Sequence, residues 1–188
     1  MLPLPIVTAL RDPVEEGSGG ALPDFRRIFE GYARYVWRVL RRLGVPEADV
    51  PDVAQEVFLI LRRKLNRVER PVALRSFIYG IAVREASDHR RSAYVRRERV
   101  ADDLPDESIE ATQEDELERA RARVLLESAL QRLDDDKRAV FVLYELEELG
   151  MREVCAAIGC PLQTAYSRLH AARRSVTDTF HRAARGRT

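Results

Sequence analysis

The chain has 188 residues, a formal net charge of +1, 45% hydrophobic and 34% charged residues; that is room for one compact domain or two small ones beneath a densely charged surface. Nothing approaches the run of about 18 apolar residues that a membrane-spanning helix requires, and the start, Met1-Leu-Pro-Leu-Pro-Ile, lacks a basic region and is broken by prolines, so neither membrane insertion nor a secretory leader is expected. The two cysteines, Cys155 and Cys160, are too few for a disulfide framework or a four-ligand metal site, which leaves a cytoplasmic protein as the expectation.

Residues 1–22 mix Pro, Gly and Ser without a period and read as a disordered N-terminal extension. A helical pattern begins at residue 24. Phe25, Ile28, Phe29, Tyr32, Val36, Leu40 and Leu43 recur three or four apart, with Asp24 as N-cap and Gly44 and Pro46 as the stop. A second helix follows Pro51, with Val53, Val57, Ile60, Leu61 and Leu65 facing inward. The third runs from about residue 74 towards 99, on an apolar face of Leu74, Phe77, Ile78, Ile81 and Ala82. No stretch alternates with period two, so residues 23–100 predict an all-helical bundle.

Charge is segregated along the chain. Residues 62–99 carry twelve Arg or Lys against four acids, residues 101–118 nine acids and no base, and residues 152–187 seven arginines against Glu153 and Asp178. Clustered cations of this kind are rewarded by a phosphate backbone through counterion release; two solvated basic helix faces would give the same counts, and the basic-acidic-basic alternation favours the polyanion. The acidic stretch 101–113 has too few hydrophobes to fold alone and reads as a flexible linker. Periodicity resumes in residues 114–188. Leu117, Val124, Leu125, Ala129, Leu130 and Leu133 line one helix, and Asp134-Asp-Asp caps the next, which buries Val140, Phe141, Leu143 and Tyr144.

Residues 151–176 carry the most information. Two helical turns over 151–158, opened by Gly150 with Glu153 three residues on, are broken by Gly159-Cys-Pro161. Pro161 then starts a longer basic helix over 162–176, which completes a helix-turn-helix pattern. Val154, Ile158, Ala165 and Leu169 supply the contacts between the two helices. An ordinary helical hairpin would share this spacing. DNA is favoured by the outward face of the second helix, Gln163, Thr164, Tyr166, Ser167, Arg168, His170, Arg173 and Arg174, whose groups read base edges and grip phosphates. The three histidines have no nucleophile or acid pattern around them, and no Gly-rich phosphate loop is present. No enzyme, cofactor or metal site is expected.

The stretch 145–174, ELEELGMREVCAAIGCPLQTAYSRLHAARR, resembles region 4 of the extracytoplasmic-function (ECF) sigma factors of the sigma-70 family. Residues 52–59, DVAQEVFL, are similar to the D-L-x-Q-E-x-F-L signature of region 2, and Ile81-Ala82 with Asp88-His89 and Arg91 fits the stretch that follows it. The likeness spans residues 24–182 and regions 2 and 4 only. It implies two small helical domains joined by the acidic linker, the second with the helix-turn-helix, in an alternative sigma factor that binds core RNA polymerase and directs promoter-specific initiation.

Several residue roles follow from that resemblance. Asp52, Gln55, Glu56 and Leu59, extended by Arg62 and Arg63, would dock on the β′ clamp coiled coil, with the β flap as a further polymerase contact. The loop at about 68–73 would capture a flipped base of the −10 element. Tyr79, Arg84, Ser87, Asp88, Arg90, Arg91 and Tyr94 would bind the −10 DNA. Leu162, Gln163 and Tyr166 would read the −35 element in the major groove, with Thr164, Ser167, Arg168, Arg173 and Arg174 on the backbone. An anti-sigma factor is an implied partner. Gln163, Ala165 and Tyr166 depart from the family text, as do Phe77 and Arg84, so promoter identity cannot be carried over from relatives. Two alternatives remain at this point: a helix-turn-helix regulator acting without core polymerase, and a helical protein-interaction adaptor.

Overall fold

The computed structural model describes residues 24–65, 72–97 and 114–185, with side chains described for 24–65, 74–93 and 120–185. The N-terminal extension 1–22 and the acidic linker 101–113 lie outside the described residues. The first half contains α1 (Phe25–Arg42), α2 (Val50–Lys64) and α3 (Val72–Arg97); the second contains α4 (Glu114–Gln131), α5 (Asp135–Phe141), a π-helical turn (Val142–Leu146), α6 (Met151–Ile158) and α7 (Leu162–Arg185). No strand occurs among the described residues.

Local chemistry sets the ends of these helices. The Asp24 carboxylate accepts from the Arg27 amide at 2.8 Å and opens α1. Gly44, at φ +90°, closes it while the Val45 amide donates back to the Leu40 carbonyl at 3.1 Å. Gly150 caps α6, its amide donating to Glu153 Oε2 at 2.7 Å, and Gly159, at φ +69°, ends that helix as predicted. Helix α7 continues to Arg185, well past the expected end at 176. Ala165, Leu169, Ala172, Val176 and Thr179 keep one buried stripe going, and no breaker interrupts it.

Two residues expected in the core are on the surface. Val124 is 49% exposed, because among the described side chains of α4 only Ala129 and Leu130, near its C-terminal end, are fully buried, followed by Leu133 just beyond it. Phe29 is 45% exposed. It belongs to a second stripe at 25, 29, 33 and 37, turned aside from the core stripe of Ile28, Tyr32, Val36 and Leu40.

The halves share one continuous core. Their main contact is the crossing of α3 with α6, where a Cβ on Gly80 would stand 2.6 Å from the Ala157 carbonyl oxygen. Only glycine permits so close an approach. Buried Arg138 of α5 is a second tie. It donates to the carbonyls of Leu130 (2.8 Å), Gln131 (3.1 Å) and Leu133 (2.8 Å) at the end of α4, and across the seam to Leu43 (3.0 Å) at the end of α1. A cation there meets the negative ends of two helices.

Candidate polymerase and DNA interfaces

Helix α2 buries Val53, Ala54, Val57, Phe58 and Leu61 and turns its other side outward. Asp52, Gln55, Glu56, Leu59, Arg62 and Arg63 all lie on that exposed side, with Leu59 42% accessible. Leu59 is not isolated. With Gln55 and Arg62 it edges a groove of about 350 Å³, completed by Phe25, Phe29 and Trp37 of α1. The Phe29 ring meets Phe58 edge-on, with centroids 4.7 Å apart, which fixes the groove floor. The sequence reading missed Trp37 and placed Phe29 inside; the four-residue spacing of 25, 29, 33 and 37 was the available signal. Beside this groove, α2 and α3 bring Asp52, Glu56, Glu85 and Asp88 around a cleft of about 420 Å³. Burial, and then the charges of Asp88 and Glu56, push the Glu85 carboxyl above its usual range.

Along α3 the expected −10 residues divide. Arg84, Asp88 and Arg91 are exposed, with Arg91 paired to Asp88. The side chain of Tyr94 lies outside the described residues, as do residues 68–71 of the expected base-capturing loop and the side chains of 72 and 73. Tyr79, Ser87 and Arg90 instead face the second half. Ser87 donates to Asp135 at 2.9 Å, and Arg90 pairs with the same carboxylate. Tyr79 is fully buried, its hydroxyl donating to Glu147 at 3.2 Å. In this arrangement Tyr79 is therefore not a surface aromatic, because the loop after the π-helical turn covers it.

Glu147 is the centre of a charged cluster that sequence reading did not find. Its carboxylate is almost completely enclosed, at 1% accessibility. It receives Arg38 at 3.0 Å and Arg42 at 2.5 Å. Arg42 also reaches the Leu146 carbonyl, and Arg75 donates to the carbonyl of Glu147 itself. Burial opposes the Arg38 charge, but the hydrogen bond and charge of Glu147 outweigh it and raise the pKa. For Arg42 burial prevails and lowers it. Burial, reinforced by Glu147, pushes the Tyr79 phenol well above its ordinary value, so it remains a donor.

The helix-turn-helix presents its second helix to solvent. Ala165, Leu169 and Ala172 pack inward, while Leu162 (45% exposed), Gln163, Tyr166 (49%) and Ser167 stand free at the N-terminal end of α7, with Arg174 further along. Thr164 is half-buried. Two arginines are engaged locally: Arg168 pairs with Asp136, and Arg173 pairs with Glu145 at 2.5 Å while lying over the Tyr144 ring. The N-terminal end of α7 thus presents both polar and apolar groups to solvent.

Comparison with known families accounts for both halves. The model of sigma-70 region 2 matches residues 28–97, and that of sigma-70 region 4 matches residues 117–176, together more than half of the chain. The chain belongs to the sigma-70 family. Helices α1–α3 are thus its region 2, and the helix-turn-helix belongs to its region 4. The ECF RNA polymerase sigma factor SigE of Mycolicibacterium smegmatis is 27% identical over 176 residues, covering 93% of this chain and 67% of that protein. The ECF RNA polymerase sigma-E factor of Escherichia coli is 27% identical over 181 residues, covering 88% of this chain and 91% of that one. Among solved structures, the sigma factor RpoE in complex with the anti-sigma factor NepR from Bartonella quintana superposes with a TM-score of 0.69 at 17% identity, over 85% of this chain and 98% of that one. CnrH in complex with the cytosolic domain of CnrY gives 0.61 at 23% identity, over 84% and 87%. These two likenesses are of fold.

Proposed function

We propose that this sigma-70 family chain is an alternative sigma factor of the ECF kind, which docks on core RNA polymerase through α2 and directs promoter-specific initiation. Region 4 reads the −35 element through Leu162, Gln163 and Tyr166, with Thr164, Ser167, Arg168, Arg173 and Arg174 on the backbone. Region 2 recognises and melts the −10 element along α3, from Arg84 to Tyr94. Base–aromatic stacking contributes about 1–3 kcal/mol per base, comparable with the unstacking it offsets, so strand capture needs no nucleotide hydrolysis and no catalytic group. Working on polymerase places the protein in the cytoplasm; no helix among the described residues is long and apolar enough to cross a membrane.

The observation that carries this reading over a free-standing DNA-binding regulator is the α2 face. A regulator acting alone has no use for exposed Leu59 set among Gln55, Glu56 and Arg62 and continuous with an aromatic groove. An apolar anchor inside a polar rim is the anatomy of a protein contact. The same face suits an anti-sigma factor competing with polymerase, and both structural neighbours are solved in complexes, one of them with an anti-sigma factor named as such.

The test is co-elution of the purified chain with bacterial core RNA polymerase, beside a Gln55→Ala/Leu59→Arg double variant. Stable co-elution abolished in the variant is the expected result. A wild-type chain that ignores core polymerase but binds duplex DNA by itself would overturn the reading in favour of a free-standing regulator.

A further inference from the structure

Glu147 belongs to region 4 but ends inside region 2. Its four partners are not scattered: Arg38 and Arg42 are one turn apart on α1, and Arg75 and Tyr79 one turn apart on α3, so two helices present their donors to one spot. The segment that delivers Glu147 is irregular on both sides. A π-helical turn precedes it, and Glu148, a non-glycine residue, follows at φ +55°. Local strain of this sort persists where the surroundings over-determine a side chain's position.

Two guanidiniums and a hydroxyl meet the Glu147 carboxylate, and a third guanidinium, that of Arg75, meets the same residue's backbone carbonyl, so the cluster holds three positive charges against the one negative charge of Glu147. Guanidinium forks fit a phosphate as well as they fit a carboxylate. A backbone phosphodiester carries the same single charge as Glu147 and offers two oxygens of similar spread. We propose that Arg38, Arg42, Arg75 and Tyr79 form a phosphodiester-binding socket on region 2, which takes a backbone phosphate of the opened −10 strand, and that Glu147 occupies it as a built-in competitor while the two halves are closed. This rests on the promoter-opening reading of region 2. Glu147 is then a latch, and strand and latch exclude each other.

A phosphate contact is blind to sequence, so the test needs no promoter. The probe is a labelled single-stranded DNA of mixed sequence, about a dozen nucleotides long, titrated with the full chain by fluorescence anisotropy at several salt concentrations. Glu147→Gln keeps the shape of the latch and removes its charge; it should bind the strand several-fold more tightly than wild type. Adding Arg42→Gln should reverse that gain and flatten the salt dependence by about 0.7 in log–log slope, the value for one phosphate contact on a single strand. Gly80→Leu leaves every socket group in place and wedges α3 from α6, so it should show the same gain without altering the latch. Inorganic phosphate at matched ionic strength should not displace the strand; if it does, the socket is a free-phosphate site and the strand assignment is overturned. Equal affinity of wild type, Glu147→Gln and Gly80→Leu would overturn the latch. Run-off transcription with core polymerase separates the two readings. A wild-type chain that fails to initiate refutes the proposed initiation function, whereas normal initiation with indistinguishable variants refutes the socket alone.

Discussion

Gly80→Ala is a perturbation whose sign is decided by two opposed magnitudes. In the interior of an exposed helix, replacing Gly by Ala stabilises by about 1 kcal/mol, because Gly loses more backbone freedom on folding. At Gly80 the new Cβ would meet the Ala157 carbonyl oxygen at 2.6 Å and its Cα at 3.2 Å, and both atoms are backbone of α6. Ordinary contact begins near 3.4 Å, so α3 and α6 must separate by roughly 0.8 Å. Overpacking of this kind typically costs about 1–3 kcal/mol, which exceeds the propensity gain and leaves a net loss of about 1 kcal/mol. Urea unfolding followed by far-ultraviolet circular dichroism measures the difference. Gly80→Leu should go further, parting the halves and enlarging the radius of gyration in small-angle scattering. A Gly80→Ala variant more stable than wild type by the full propensity term would show that the seam is not tight at this crossing.

Arg138→Met keeps the length of the side chain but withdraws donors from four carbonyls at two helix ends; a loss of about 3 kcal/mol in urea unfolding is expected. Asp134→Ala removes the N-cap of α5, where the carboxylate accepts from the Lys137 amide at 2.9 Å, and should cost about 1 kcal/mol. Burial works against the Asp134 charge, but the Lys137 hydrogen bonds hold its pKa below the usual value. Its contribution is therefore complete above the unfolded carboxylate pKa and fades as pH falls through the lowered folded one, which thermal melts of wild type and Asp134→Ala at descending pH will show. Glu56→Gln removes one of the charges that raise the Glu85 carboxyl and should bring its pKa down, read by carbon-detected NMR titration. On promoter DNA, Tyr166→Ala should alter preference between −35 sequences, whereas Arg174→Ala should weaken all of them alike, as competition titrations will distinguish.

The sequence was most readable where structure is set locally. Gly150, Gly159 and Pro161 bound α6 and start α7 because caps and breakers act within a few residues, and the free side of α7 follows from the positions of Ala165 and Leu169. Reading became poorer where burial depends on a distant partner. Phe29 falls on the apolar stripe of α1 and Tyr79 is an aromatic −10 candidate by family resemblance, yet Phe29 is left exposed beside α2 and Tyr79 is covered by a loop 68 residues later. Glu147 is the extreme case. Within Glu145-Leu-Glu-Glu, nothing local sets it apart from Glu145 or Glu148, and its role appears only when α1 and α3 bring arginines to it.

The chemistry of the seam bears on whether the two halves can part. Around the close contact of Gly80 with Ala157 the ties are polar: Ser87 and Arg90 to Asp135, Arg38 and Arg42 to Glu147, and Arg138 to the Leu43 carbonyl. A small cavity of about 70 Å³ lies between Val83 and Ile158, and Arg90 Nε beside it is buried without a hydrogen-bond partner. Interiors built to stay shut are packed without such gaps, whereas interfaces between domains that move are more polar. When this seam opens, most of the groups released are charged, and water or a phosphate can take the place of each lost partner. Separation frees Tyr79, Ser87 and Arg90 together. On the proposed reading of region 2, three of the residues assigned to the opened strand, Tyr79, Ser87 and Arg90, are covered by region 4, and the carboxylates that cover them carry the strand's own sign.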